Sequence, residues 1–499
     1  MLPKPRLDRL TRELTRADAE EPRPSTGAAP PEWVADYHVV LIVADALRAD
    51  ALPPNRTGNE AFAKEGDTPF LDHWLAGGYQ FRRAYTQSTN TRRSVPPLFF
   101  GTRAFEHPAM AGISLAQAMK QNGRVPIAIV PKSFVGSDKM ATRALVDDFS
   151  HVELYDEKQQ ERMVSKTGNL LDRVQGKRFF AWIHLYGTHG PYYAGRVTTL
   201  ADGGAPNRYR LALRWLDDQA RQVLELFDER SLTANTVFIF TSDHGEQISA
   251  RRSGHGATVE EAETRAPLTV RVPGKPGGIV ATVAGNIDIF PTALDLIGAE
   301  PVPEARGHSL VPQMADPDRT EERPYLLLNG LGTEHGLVMG RRKLTYDSVG
   351  GVFARYDLDL GERQSLFREN SPIDSKLVSL LIRNNPELAS EELYQPLTCQ
   401  LLALRLSEAK GTVVSPRLEF LLRTASLTRD EEVALALDRL FDRATTDVRL
   451  AMVWYLSPNQ GERWVWRLAA TLPELGAHER DRAAATLARR RPPVGGNPR

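Results

Sequence analysis

The run Tyr37-His-Val-Val-Leu-Ile-Val-Ala-Asp45 carries an unbroken apolar, β-branched segment straight into a carboxylate. A second such run, Thr236-Val-Phe-Ile-Phe-Thr-Ser242, ends in Asp243-His244-Gly245-Glu246. Apolar strands without alternation are buried on both faces, as in parallel sheets covered by helices, and such sheets bind ligands beyond the carboxyl ends of their strands. The pair therefore predicts an α/β fold that delivers Asp45, Asp243 and His244 to one edge. Carboxylate oxygens with one imidazole suit a divalent cation, and the donor set admits Zn, Mn, Ca or Mg. Taken alone, Asp45 is equally well explained as a helix N-cap after a strand. Its pairing with Asp243 and His244 favours the metal reading.

Between these runs the chain alternates elements as a doubly wound sheet requires. Helices are expected over Ile113–Gln121 and Tyr209–Asp228, and strands over Pro126–Val130, Phe179–Tyr186 and Leu268–Val272. Short strands near Tyr325–Leu328, Gly336–Met339, Lys343–Tyr346 and Phe353–Asp357 predict a second, smaller sheet. After Phe367 the texture turns to Leu, Ala, Arg and Glu, and the residues from 371 onward read as helices. One of these opens on the capping box Thr428-Arg-Asp-Glu431 and places Val433, Leu437, Leu440 and Phe441 on one face.

Segments in a fixed order carry a family resemblance. Val39–Asp50 and Thr241-Ser-Asp-His-Gly-Glu246 resemble the two metal segments of the sulfatase-like branch of the alkaline phosphatase superfamily. Ile183-His-Leu-Tyr-Gly-Thr-His-Gly-Pro-Tyr192 is similar to its histidine loop, and Gly254-His255-Gly256 with Ala266–Gly274 to its next histidine and strand. Asn286–Gly298, Gly307-His-Ser-Leu310 and Tyr356–Glu362 resemble its late helix, the turn after it and the end of its small C-terminal sheet. The resemblance spans Tyr37 to Phe367 and implies an alkaline-phosphatase/sulfatase-like sandwich: a mostly parallel central sheet, a small C-terminal sheet subdomain and an all-α C-terminal appendage. The boundaries expected are a tail and Pro-rich linker (1–35), a catalytic domain (36–370) and a helical domain (371–499).

Where that family keeps its nucleophile, the chain reads Ser88-Thr-Asn-Thr91-Arg-Arg-Ser94-Val-Pro96-Pro-Leu-Phe-Phe-Gly101. Aligning Gly101 with the family's closing glycine puts Thr91 at the position where sulfatases hold the Cys or Ser that is oxidised to formylglycine. A threonine cannot be matured to that aldehyde, and the single cysteine, Cys399, lies far outside the motif. Thr91 with Ser94, Val95 and Pro96 instead resembles phosphoethanolamine transferases and other threonine-nucleophile phosphoryl-transfer enzymes. By itself Thr91 reads as a helix N-cap; beside a cation held by Asp45, Asp243 and His244 it becomes a candidate alkoxide and a ligand in its own right.

The chemistry so implied is double displacement through a phosphothreonine, with Arg92 or Arg93 clamping phosphoryl oxygens. His189 and His255 are candidates for protonating the leaving group or completing a second cation site, and His184 for a place behind the ligands. Lys132, in Pro131-Lys-Ser-Phe-Val-Gly136, stands where sulfatases carry an anion-binding lysine. Ala46 replaces the family's second aspartate and Phe134 a histidine, so a strict sulfatase pattern is thinned. The expected cofactor is Zn, Mn or Ca. The expected substrates are small-molecule, lipid-head-group or glycan esters. Two alternatives stand beside this reading: hydrolysis of sulfuric esters by an unusual threonine mechanism, and a non-catalytic binding protein on a sulfatase-like fold.

With 63 Lys and Arg against 63 Asp and Glu, the chain carries no polyelectrolyte attraction, and no nucleic-acid partner is expected. A single cysteine excludes an intrachain disulfide framework. No apolar run approaches a membrane span and no signal-peptide core is present, which reads as cytoplasmic, whereas the resembling family often works in the periplasm or at membranes. Leu7, Leu10 and Leu14 suggest a short amphipathic helix before the Pro-rich Glu20–Pro31, and Arg489–Arg491 a solvated basic tail. The helical domain is expected to dock a protein partner or to cover the active-site mouth.

Overall fold

The structure, a computed structural model, describes residues 31–56, 63–64, 66–104, 113–134, 145–192, 204–248, 253–319, 321–368 and 371–385. Beyond these it describes 388, 406–407, 409, 411–412, 421–422, 425, 431–460, 463–475, 477, 479–480 and 484. The expected helix at Leu7–Leu14, the linker to residue 30, Cys399, the capping residue Thr428 and Arg489–Arg491 lie outside the described residues.

In chain order the strands are β1 (His38–Ala44), β2 (Tyr79–Tyr85), β3 (Val125–Pro131), β4 (His151–Tyr155), β5 (Phe179–Leu185), β6 (Thr236–Ser242), β7 (Gln247–Ile248), β8 (Ser253–Gly254), β9 (Leu268–Arg271), β10 (Gly278–Gly285), β11 (Tyr325–Leu328), β12 (Glu334–Met339), β13 (Arg342–Asp347) and β14 (Val352–Asp357). Eight of them form one sheet in the order β10-β2-β9-β6-β1-β5-β3-β4. β1 lies between β5 and β6 and is parallel to both. Ala44 stands opposite Ser242 on one side and Leu185 on the other, so Asp45 and Asp243 leave the sheet side by side.

The unbroken apolar character of β1 has a simple cause. Val39, Leu41 and Val43 enter one apolar layer and Val40, Ile42 and Ala44 the other. Helices Pro69–Ala76, Glu161–Arg173 and Gly204–Glu229 cover the second layer, and Thr91–Phe100, Leu115–Gln121 and Ile289–Leu296 cover the first. The Leu268 strand was expected; its direction was not legible, and β9 runs antiparallel to both β6 and β2. The strands β2, β4 and β10, and the helices Pro69–Ala76 and Glu161–Arg173, escaped sequence reading. β2 carries Arg82 and Arg83 in mid-strand, and β10 is framed by Gly278 and Gly285, so neither shows the buried-strand pattern.

β11 to β14 form the smaller antiparallel sheet in sequential order. Helix Pro372–Arg383 packs Leu377, Val378, Leu381 and Ile382 against Leu337, Leu344 and Tyr346 of that sheet. Further on, the helices Glu431–Arg443, Thr446–Gln460 and Arg463–Thr471 share a separate core in which Val433, Leu437, Leu440 and Phe441 are buried with Trp464. Among the described residues no helix is long and apolar enough to cross a membrane.

Candidate active site

Asp45 follows β1 directly, and the next residue, Ala46, is held in the left-handed region at φ 56. A Cβ is unfavourable there by roughly 1–2 kcal/mol, and three contacts hold it in place. Ala46 N donates to Asp243 Oδ1 at 3.1 Å, the Tyr209 hydroxyl donates to Ala46 O at 2.9 Å, and Asp45 N donates to Leu185 O at 2.8 Å. Asp45 is therefore no helix cap. The turn aims its carboxylate at Asp243, and both carboxylates are fully buried.

One ligand atom from each of Asp45, Asp243 and His244 lies within 4.8 Å of the others. His244 Nδ1 lies 2.8 Å from Gly245 O. That carbonyl can only accept, so Nδ1 carries the proton and Nε2 presents its lone pair to the carboxylates. Asp45 Oδ1 and Asp243 Oδ2 are buried without a hydrogen bond of good geometry. Burial lifts the Asp243 carboxyl well above the carboxylate range and the Asp45 charge adds to the rise. Burial works on Asp45 in the same sense, but the charges of His189, His184 and His244 and a hydrogen bond from His184 hold it below its ordinary value. Two buried carboxylates thus compete for one proton, and two orphaned oxygens with an imidazole lone pair are the donors a divalent cation takes up. The residues fit such an ion.

Thr91 opens the helix Thr91–Phe100. It is the first helical residue and not the cap: Asn90 is the cap, and its Oδ1 accepts from Arg93 N at 3.1 Å. This places Thr91 Oγ1 3.2 Å from His244 Nε2, at the positive end of a helix. Thr91, Asp45, Asp243 and His244 are thereby brought into one cluster.

The two histidines close the other side. The His255 ring lies tilted against that of His244 with centroids 4.2 Å apart, and His189 is 5.2 Å from His255. Glu246, buried at 1 % exposure, sits 2.9 Å from His255 Nδ1. Burial alone would lower the His255 pKa, but the Glu246 hydrogen bond and charge, with Asp45 and Asp243 behind it, raise it. His189 Nδ1 lies 2.6 Å from Gly190 O, and its ring stacks on Tyr186. In both rings Nδ1 is engaged, which leaves Nε2 for a substrate. His184 takes the place expected behind the ligands, with Nε2 3.3 Å from Asp45 Oδ2, against the Phe134 ring at 4.5 Å.

The cationic candidates are placed differently. Arg92 is exposed on the first turn of the Thr91 helix. The Arg93 guanidinium points to the small sheet, where it lies 3.5 Å from where a Cβ on Gly332 would be. Lys132 follows β3 on the same sheet edge, 60 % exposed, with Asp156 at 3.8 Å.

Several supporting residues carried no sequence signal. Glu263 Oε2 accepts from Gly256 N at 2.7 Å and from Ala257 N at 3.2 Å, shaping the turn after His255. Gly245 N and Glu246 N donate to the carbonyls of Glu263 and Ala262. A Cβ on Gly245 would lie 2.1 Å from Ala262 O, so glycine is obligatory there. The role of Glu246 was within reach, since it closes the Asp243-His-Gly-Glu motif.

A protein-family model described as Sulfatase matches residues 37–299. Among curated proteins, N-acetylgalactosamine-6-sulfatase of Sus scrofa is 32% identical over 165 residues, which cover 30% of this chain and 31% of that protein. The matched stretches span about a third or less of the length of such curated relatives. Among solved structures, a protein in the alkaline phosphatase superfamily from Vibrio parahaemolyticus aligns with a TM-score of 0.57 at 17% identity, covering 78% of this chain and 97% of that one. A phosphonate monoester hydrolase from Silicibacter pomeroyi aligns with a TM-score of 0.55 at 17% identity, covering 73% of this chain and 97% of that one. At such identity the structural likeness speaks for the fold.

Proposed function

Because the chain belongs to the sulfatase family, we propose that it is a metal-dependent ester hydrolase or transferase that acts on phosphate esters with Thr91 as nucleophile. The observation that carries this reading is the 3.2 Å approach of Thr91 Oγ1 to His244 Nε2 beside the two unpartnered carboxylate oxygens. Asp45, Asp243 and His244, with Thr91, would hold a divalent cation, Zn, Mn or Ca, which when bound lowers the pKa of a hydroxyl and offsets charge on phosphoryl oxygens.

Thr91 Oγ, its proton given up to bulk water before the cycle begins, attacks phosphorus in line, and the bond to the leaving oxygen breaks, so that Thr91 enters and leaves the cycle as the alkoxide. The leaving oxygen takes a proton from Nε2 of His255, whose Nδ1 is held by Glu246, or from His189. The result is a phosphothreonine and a free alcohol. The same imidazole then removes a proton from water, or from an acceptor alcohol, which attacks phosphorus and releases Thr91. Arg92 and Lys132 stand outside the cluster as long, exposed cations for the remaining substrate oxygens.

A second reading is hydrolysis of sulfuric esters, the reaction named in the curated relatives. Threonine counts against it, because a sulfated threonine lacks the elimination route open to a formylglycine hydrate. Steady-state turnover of aryl phosphodiester, phosphomonoester and sulfate substrates with added Zn, Mn or Ca, beside Thr91→Ala, separates the two. Phosphoester turnover reduced at least about 10³-fold by the substitution is the expected result. Sulfate turnover alone would overturn the phosphoryl chemistry.

A further inference from the structure

The turn between β11 and β12, Asn329-Gly-Leu-Gly-Thr333, reaches the catalytic edge and touches both of its sides. On the nucleophile side, Gly330 N donates to Thr89 Oγ1 at 3.0 Å and Gly330 O accepts from Asn90 Nδ2 at 3.2 Å. On the histidine side, Leu331 N donates to Gly256 O at 3.2 Å and Asn329 Nδ2 donates to Ala257 O at 2.9 Å. Asn90 is engaged at both ends of its amide, with Oδ1 capping the Thr91 helix and Nδ2 holding the turn. There is no slack at Gly330. A Cβ there would lie 2.5 Å from Asn90 Nδ2 and 2.9 Å from Gly256 Cα. Gly330 is not among the glycines at positive φ, so the space, not the backbone conformation, demands glycine.

We propose that this turn is a positioning element of the catalytic centre: Gly330 seats it against Asn90 and Gly256, and through them it sets Thr91 relative to His255. The proposal rests on the assignment of Thr91 as nucleophile and His255 as proton donor. The two residues come from separate segments, one from a helix start and the other from a loop, and the turn bonds to the residue just before the first and to the residues just after the second. In a reaction that needs reacting atoms aligned, a shift near 1 Å costs up to about 10²-fold in rate. The small sheet thereby takes part in catalysis without touching substrate.

The test compares Gly330→Ala with Asn90→Ser and with Gly340→Ala. Serine still caps the helix but lacks the reach to Gly330 O. Gly340 lies at the far end of the same sheet, at φ 58, and reports the cost of straining the sheet alone. With an aryl phosphodiester, Gly330→Ala is expected to lower kcat ~10- to 10²-fold with KM nearly unchanged, and Gly340→Ala to leave kcat as it was. In the Asn90→Ser background Gly330→Ala should cost less than in the wild type, because the contacts with the Asn90 amide are gone and only that with Gly256 Cα remains. Long-range proton–nitrogen spectra of the imidazoles supply a readout that needs no turnover: the His255 signals should move in Gly330→Ala and stay in Gly340→Ala. An unmoved His255, multiplicative effects in the double variant, or equal losses in Gly330→Ala and Gly340→Ala would each overturn the proposal. A wild-type protein inactive on phosphoesters, but with His255 moved by Gly330→Ala, would overturn the function reading and leave the positioning role standing.

Discussion

Asp45, Asp243 and His244 stand on the ends of two paired central strands, whereas His189 and His255 stand on loops that lean on neighbours. The first group inherits its geometry from the parallel register of β1 and β6, in which Ala44 and Ser242 are directly opposed. The second group is held by side chains. Glu263 braces the turn after His255, Glu334 accepts from Val259 N at 2.9 Å, and the buried Lys343 ties Glu261 and Glu362 at 3.1 and 2.9 Å. Glu334 and Lys343 belong to the small sheet, so the histidine side of the candidate site leans on a second subdomain, while Asp45, Asp243 and His244 take their geometry from the central sheet. A ligand cluster tolerates little misplacement and is served by the most rigid part of the fold. The loops can vary with the substrate.

The largest effect that tests this contrast is on the strand side. Asp243→Asn is expected to lower phosphoester turnover by about 10³-fold and to reduce the metal retained after desalting, measured by atomic emission. Because it also removes one of two repelling buried carboxylates, the metal-free variant should melt no lower than wild type; a lower melting point would mean that the pair is structural. Next in size, Lys343→Met leaves the half-buried carboxylates of Glu261 and Glu362 without their cation and should cost about 2–3 kcal/mol of unfolding free energy, read by denaturant titration. Metal retention should stay at the wild-type level, since the lysine has no part in the ligand cluster. Joint loss of stability and metal would erase the distinction between the two sides.

His255→Gln should lower kcat/KM, which reports the first displacement, by about 10²-fold for substrates with poor leaving groups and much less for nitrophenyl esters, whose leaving group departs without a proton. A uniform loss across leaving groups would move the acid to His189. The smallest effect concerns Glu334, whose carboxyl burial pushes up to about 7, against the hydrogen bond from Val259 N. The folded state then holds that proton more tightly than the unfolded chain, so the cost to stability is absent below the unfolded value near 4.5 and grows as pH rises towards 7. Glu334→Gln keeps the acceptor and removes the charge. It should raise the melting point at pH 8, by an amount equivalent to about 1 kcal/mol, and leave it nearly unchanged at pH 5.

The strand-borne half was legible because burial on both faces writes itself into consecutive residues: Val39 to Ala44 alternate between two cores, and both cores are apolar. The family resemblance located Thr91, His189 and His255 by motif order. It did not reveal that Asn90 rather than Thr91 caps the helix, because several polar residues in a row qualify as a cap and only backbone geometry selects one. The antiparallel course of β9 was equally hidden, since strand direction is a property of the path between strands and not of the strand's own residues.

The amino-acid sequence by itself determined the buried strands, the carboxylates and imidazoles at their ends, and the threonine that excludes formylglycine chemistry, because these depend on residue type and local period. Only the tertiary structure decided that Ala46 would be held at positive φ, that Glu246 and not another acid would take His255, and that a glycine beside a distant strand would touch the cap of the Thr91 helix. Those are contacts between segments far apart in the chain, where distance and orientation matter more than composition.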